Sequence, residues 1–205
     1  MSMFAPLGDI CPVICYHTCK RRPGGPVGEE WPVRENSISK VVGEQVRRTL
    51  WEVRNVNACV PDTLWQKPYG GMPLWKHIYH TLHSLDQWLI NPRNPDFREP
   101  DFHEPGLNSL DVESGRTLSR AELDAYSRAV VRKAEEYLDA LTDGMLLGGP
   151  VGCGFSRLSL LLGQLRHLST HMGMLMGFLV AEGVGWPTVV GLEKSIPQDG
   201  FGQFF

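Results

Sequence analysis

A concentrated basic stripe is missing from this sequence. Its 20 Lys+Arg are scattered and its formal net charge is −3, so it lacks the footprint that displaces counterions from nucleic-acid phosphates. A membrane span is missing too: the longest apolar stretch, residues 158–180, is broken near its middle by Gln164, Arg166, His167 and His171, where a bilayer penalises them most. The N-terminus lacks the order of a secretion signal. Asp9 and Pro12 interrupt its apolar run, and Lys20, Arg21 and Arg22 follow that run instead of preceding it. A soluble, cytoplasmic protein is therefore expected. Cysteine is sparse and odd in number, five in all, at Cys11, Cys15, Cys19, Cys59 and Cys153, which argues against a disulfide framework. No Walker loop or dinucleotide fingerprint occurs, and neither His-Glu-x-x-His nor Glu-x-x-His is found. Those absences remove the familiar zinc-protease helix and the ferritin-like di-iron pattern.

What is present is a globular composition. Hydrophobic residues make up 42%, with 6 Trp, 8 Phe and 5 Tyr, in a chain of 205 residues; this suffices for one domain with a sizeable core plus extensions. Residues 1–35 stand apart, with Pro6, Pro12, Pro23, Pro26 and Pro32 and no sustained helical period. They read as a loosely packed or irregular leader that the fold can spare. Residues 36–205 read as the folded body with a short C-terminal tail.

Within the body the apolar period is helical. Ile38, Val41, Val42, Val46, Leu50, Val53 and Val56 predict a first helix from 37 to about 60, which Pro61 ends. Gly70, Gly71 and Pro73 introduce a second from about 74 to 89, stopped by Pro92. Residues 91–118 form a long loop, of the kind that covers a site or crosses a fold. Ser119 and Glu122 make a capping box that opens a third helix, with an apolar face from Leu123 to Leu141. A fourth, from about 156 to 183, is apolar nearly all round, as expected of a deeply buried helix. With no convincing strand, this is an all-α four-helix bundle. Its one long connection predicts a crossover between the second and third helices, allowing those two to run parallel.

Five of the seven histidines fall on two of these helices. His167 and His171 are four residues apart on the fourth, about 40° apart on one face, so their imidazoles can converge on one ion. The same spacing forbids a haem sandwich, whose axial ligands approach opposite faces. A third ligand must come from a neighbour, and the second helix offers His77, His80 and His83. Their angular positions do not choose among them: Leu74, Ile78, Leu82, Leu85 and Leu89 form the apolar stripe, His77 lies at its edge, and His80 and His83 face more nearly away. A set rich in imidazole suits zinc, nickel, copper or iron, and three protein ligands leave a coordination position open.

Residues 79–88 (YHTLHSLDQW) and 165–173 (LRHLSTHMG), with a helix end broken at Gly183 and Gly185 before Trp186 and Pro187, resemble the DinB/YfiT-like superfamily of metal-binding four-helix bundles. The similarity spans roughly residues 37–192 in the order of its motifs. The resemblance implies a long-crossover bundle, often a homodimer, with zinc or nickel held by His80, His167 and His171. It also implies, for some members, thiol-dependent transferase or isomerase activity with low-molecular-weight thiols. A metal-dependent enzyme acting on a small molecule is thus expected, against a metal- or ligand-binding module without turnover and a structural dimer. The sequence itself names no general base or thiol-binding residue.

Other constellations are weaker. Cys11, Cys15, Cys19 and His17 have a spacing that matches no usual ligand run. Cys153, before the fourth helix, reads more readily as a small turn residue than as a nucleophile. Asp86 is either a support for a ligand or an exposed helix carboxylate. In the long loop, Phe97, Phe102 and His103 are placed to help close over a site.

Overall fold

The computed structural model describes residues 37–205; the expected leader, with Cys11, Cys15, Cys19 and His17, lies outside the described residues. Four long helices carry the fold, each where the apolar period places it: α1 Ile38–Cys59, α2 Leu74–Trp88, α3 Arg120–Ala140 and α5 Arg157–Ala181. A single-turn α4, Asp143–Leu146, lies between the last two. The Ser119–Glu122 capping box opens α3 as expected, with Ser119 accepting from the Glu122 N–H and Glu122 accepting from the Ser119 N–H. The start of α1 has no cap of its own. Asp143, at the start of α4, reaches across to accept hydrogen bonds from the backbone N–H groups of Ile38 and Ser39 at 3.2 and 2.7 Å.

Two expectations need correcting. A short antiparallel hairpin is present, β1 Pro68–Tyr69 paired with β2 Met72–Pro73. Its turn is Gly70-Gly71, both at positive φ (58° and 88°), which a tight two-residue turn demands and only glycine adopts without strain. Nor is α5 buried all round. Leu161, Leu168, Met172, Leu175 and Leu179 line its inner side, while Leu162, Met174 and Val180 are exposed, because α5 turns one side to α1 and α2 and leaves the other to solvent.

The core joins Val46, Leu50, Val53 and Val56 of α1 to Leu74, Ile78, Leu82 and Leu85 of α2, Leu123, Val130 and Leu138 of α3, and the inner side of α5. Contacts show the helix directions. The Trp65 indole N–H donates to Leu118 O just before α3, Tyr79 packs on Tyr126, and Lys133 pairs with Asp86. Contacts between α2 and α3 thus advance in the same sense, and the two helices run parallel. Residues 91–118 make the crossover and lie along α2, tied to it by the buried Lys76, which donates to Val112 O. No helix among the described residues is long and apolar enough to cross a membrane.

Candidate metal centre

Three histidines leave α2 one turn apart, and different partners take each. His77 is buried, its Nε2 donating to the hairpin carbonyl of Tyr69 at 2.9 Å, with its ring edge-on to Phe178 of α5. His83 is buried beneath the crossover, its Nε2 2.7 Å from Glu99 Oε2 and its Nδ1 3.2 Å from the Asn108 amide. His80 lies between them. Its Nδ1 donates to Asn108 O at 2.7 Å, which settles its tautomer and leaves the Nε2 lone pair turned toward α5.

There it meets His167 and His171. His80 Nε2 and His167 Nε2 are 3.4 Å apart, and the ring centroids of His171 lie 4.7 Å from His80 and 4.4 Å from His167. One ring nitrogen from each of the three comes within 4.8 Å of the others. Two nitrogens bound to one tetrahedral zinc at about 2.0–2.1 Å would stand about 3.3–3.4 Å apart, a spacing that the 3.4 Å approach matches, as it also matches an N–H···N hydrogen bond. Without a cation, two facing nitrogens need a shared proton. Burial, and then the neighbouring His80, lowers the pKa of His167. Burial also pushes His171 down to about 4, with help from His167, His80 and His77. Both are therefore neutral imidazoles near pH 7, the form that binds metals. All three are half-buried, and the donor set is purely imidazole.

The remaining sequence candidates have other roles. His77 and His83 do not join this group. Asp86 is neither exposed nor paired with a histidine: it accepts from Tyr126 Oη at 2.9 Å and pairs with Lys133, joining α2 to α3. Cys59 is buried, which pushes its thiol up to about 11. Cys153 sits three residues before the Ser156 cap of α5. Phe97, Phe102 and His103, expected to help close over the metal site, pack instead on His83 and Tyr79 of α2. The sequence reading missed Asn108 and Glu99. Asn108 acts on His80 through a backbone carbonyl, which no side-chain pattern encodes; Glu99 stands four residues before His103, a spacing open to inspection.

The sequence model of the DinB superfamily matches residues 44–175, a span that takes in His80, His167 and His171. No curated protein and no solved structure shows significant similarity to this chain.

Proposed function

The chain belongs to the DinB superfamily, and from that premise and the meeting of its three histidines we propose that it binds one zinc or nickel ion through His80, His167 and His171 and uses this centre in thiol transfer to a small electrophilic molecule. The observation that carries the reading is the 3.4 Å approach of His80 Nε2 to His167 Nε2 with His171 beside them. Held by three neutral imidazoles, such an ion supplies Lewis acidity with its charge uncompensated and a position for an incoming ligand.

The chain's own groups do the rest. Asn108 O holds His80 in the tautomer whose Nε2 faces α5. Burial keeps His167 and His171 unprotonated near neutral pH. A low-molecular-weight thiol, a cytoplasmic location and a homodimer belong to the same reading.

Elemental analysis of protein purified without a histidine tag tests the ligand set. His167→Ala and His171→Ala should each lose one equivalent of zinc or nickel relative to wild type, and His77→Ala should lose none. An unchanged His80→Ala beside a depleted His77→Ala would move the α2 ligand to His77. Turnover is tested with a panel of cellular thiols and electrophiles. Wild type should accelerate thiol addition over His171→Ala, and equal rates across the panel would leave a binding module without turnover.

A further inference from the structure

A second group of ligand-type side chains meets where the crossover lies on α2. His83 Nε2 is 2.7 Å from Glu99 Oε2, and the same oxygen is 3.7 Å from His103 Nδ1. The two imidazoles stack, centroids 5.1 Å apart and nearly parallel, and one donor atom from each of the three residues lies within 4.8 Å of the others. A turn at Pro100, whose carbonyl accepts from the His103 N–H at 2.7 Å, brings Glu99 and His103 to the same side. Tyr79 Oη, 2.7 Å from His103 Nδ1, completes the group.

From this convergence we propose that His83, Glu99 and His103 form a second divalent-metal site, separate from the three-histidine group, which pins the crossover segment to α2. Two imidazoles and one carboxylate are a donor set for zinc, iron(II) and similar first-row ions, not for magnesium or calcium, which take oxygen. Ligands to one such ion stand about 3–3.5 Å apart; the 2.7 and 3.7 Å separations bracket that range. Glu99 is 42% exposed and free to turn by the few tenths of an ångström required.

The surroundings are those of a ligand set. His83 Nδ1 faces the Asn108 side-chain amide, whose oxygen and nitrogen exchange by a simple flip. With its oxygen turned inward, the amide accepts the Nδ1 proton and frees Nε2, the outer support typical of ligating histidines. Phe97 lies edge-on to His83, and Phe102 packs on Tyr79, so one wall of the group is dry. Burial raises the Tyr79 pKa, as do the nearby Glu99 and Asp86. Tyr79 is therefore a neutral phenol and not a fourth ligand; an ion held by His103 Nδ1 would displace the Tyr79 hydroxyl from that nitrogen. An ion-paired His83 and Glu99 alone would need no second imidazole stacked against them. Asn108 touches both groups, by its carbonyl at His80 and its amide at His83, so an ion here would also steady the orientation of His80.

The test is a count of bound zinc or cobalt(II) on the full chain, tag-free, by equilibrium dialysis and elemental analysis. Wild type should bind one equivalent more than Glu99→Gln, a replacement of equal size, and adding zinc should slow hydrogen exchange across residues 99–108 in wild type and in His171→Ala but not in Glu99→Gln. Should Glu99→Gln melt abnormally, His103→Gln carries the same comparison. Equal counts in wild type and variant, with exchange unmoved by zinc, overturn the proposal. The two groups fail separately: an equivalent lost in Glu99→Gln but not in His171→Ala sinks the three-histidine reading and keeps this one, and the reverse result does the opposite.

Discussion

His171 faces two other imidazoles across α2 and its own helix, and burial with those neighbours holds its pKa at about 4, against about 6.5 in an unfolded chain. The consequence for stability has a definite sign. Between those values the unfolded chain binds a proton that the folded, metal-free chain refuses, so stability rises with pH across the window. His167 and His103 are shifted in the same direction, both mainly by burial. Metal-free protein should therefore be most stable above about pH 6.5 and lose stability steadily as pH falls toward 4. Thermal melts from pH 4 to 8 check this, and His171→Ala should show a shallower decline than wild type. Parallel declines would mean that His171 titrates in the fold much as it does in the open chain. The same burial that depresses these pKa values keeps the nitrogens available as ligands.

Among the elements, the helix starts differ in how they are closed. α3 uses its own sequence: Ser119 and Glu122 satisfy one another's backbone, and the hydrogen bonds from the Ser119 backbone and hydroxyl, then from Arg116, hold the Glu122 carboxyl down at about 2. α1 borrows Asp143 from beyond α3, and hydrogen bonds from the Ser39 hydroxyl and backbone and the Ser37 hydroxyl keep that carboxyl well below the usual range. Ser119→Ala should cost about 1 kcal/mol, the usual loss for a cap, read as a lower midpoint in urea denaturation with an unchanged slope. A midpoint equal to wild type would show that the packing of Leu123 and Tyr126 holds the helix start unaided. α2 depends on neither device. Pro73 opens it, and the hairpin and the crossover supply what its outer face needs.

Over the whole described body, α1 also serves as the anchor for the C-terminal tail, which lies beyond the family match. Asn55, fully buried, spends all its hydrogen-bonding groups there: Nδ2 donates to Thr188 O and Gln203 O, and Oδ1 accepts from the N–H groups of Gly202 and Gln203. Arg48 donates to the carbonyls of Gly191 and Lys194, and Glu52 accepts from the Val190 N–H. Asn55→Ala strands several buried backbone groups at once and should destabilise the protein by on the order of 3 kcal/mol. Limited proteolysis should then cut the tail after residue 185 well before the helices. Tail and helices cut at wild-type rates would show that Arg48 and Glu52 suffice.

The four long helices were legible in the chain because each rests on local physics: apolar residues at three- and four-residue steps, a capping box at Ser119, prolines at 61 and 92 that end helices. The pairing of His167 with His171 was legible for the same reason, since four residues make one turn of one helix. Which α2 histidine meets that pair was not. His77, His80 and His83 are alike as residues, and their angular positions left all three open, although the family resemblance favoured His80. Tertiary structure separates them, because a buried imidazole is directed by whatever faces each ring nitrogen. Tyr69 O takes His77, Asn108 O turns His80 toward α5, and Glu99 takes His83. Those partners lie 8, 28 and 16 residues away along the chain, two of them are backbone carbonyls that no residue type announces, and only folding the hairpin and the crossover onto α2 brings them into place.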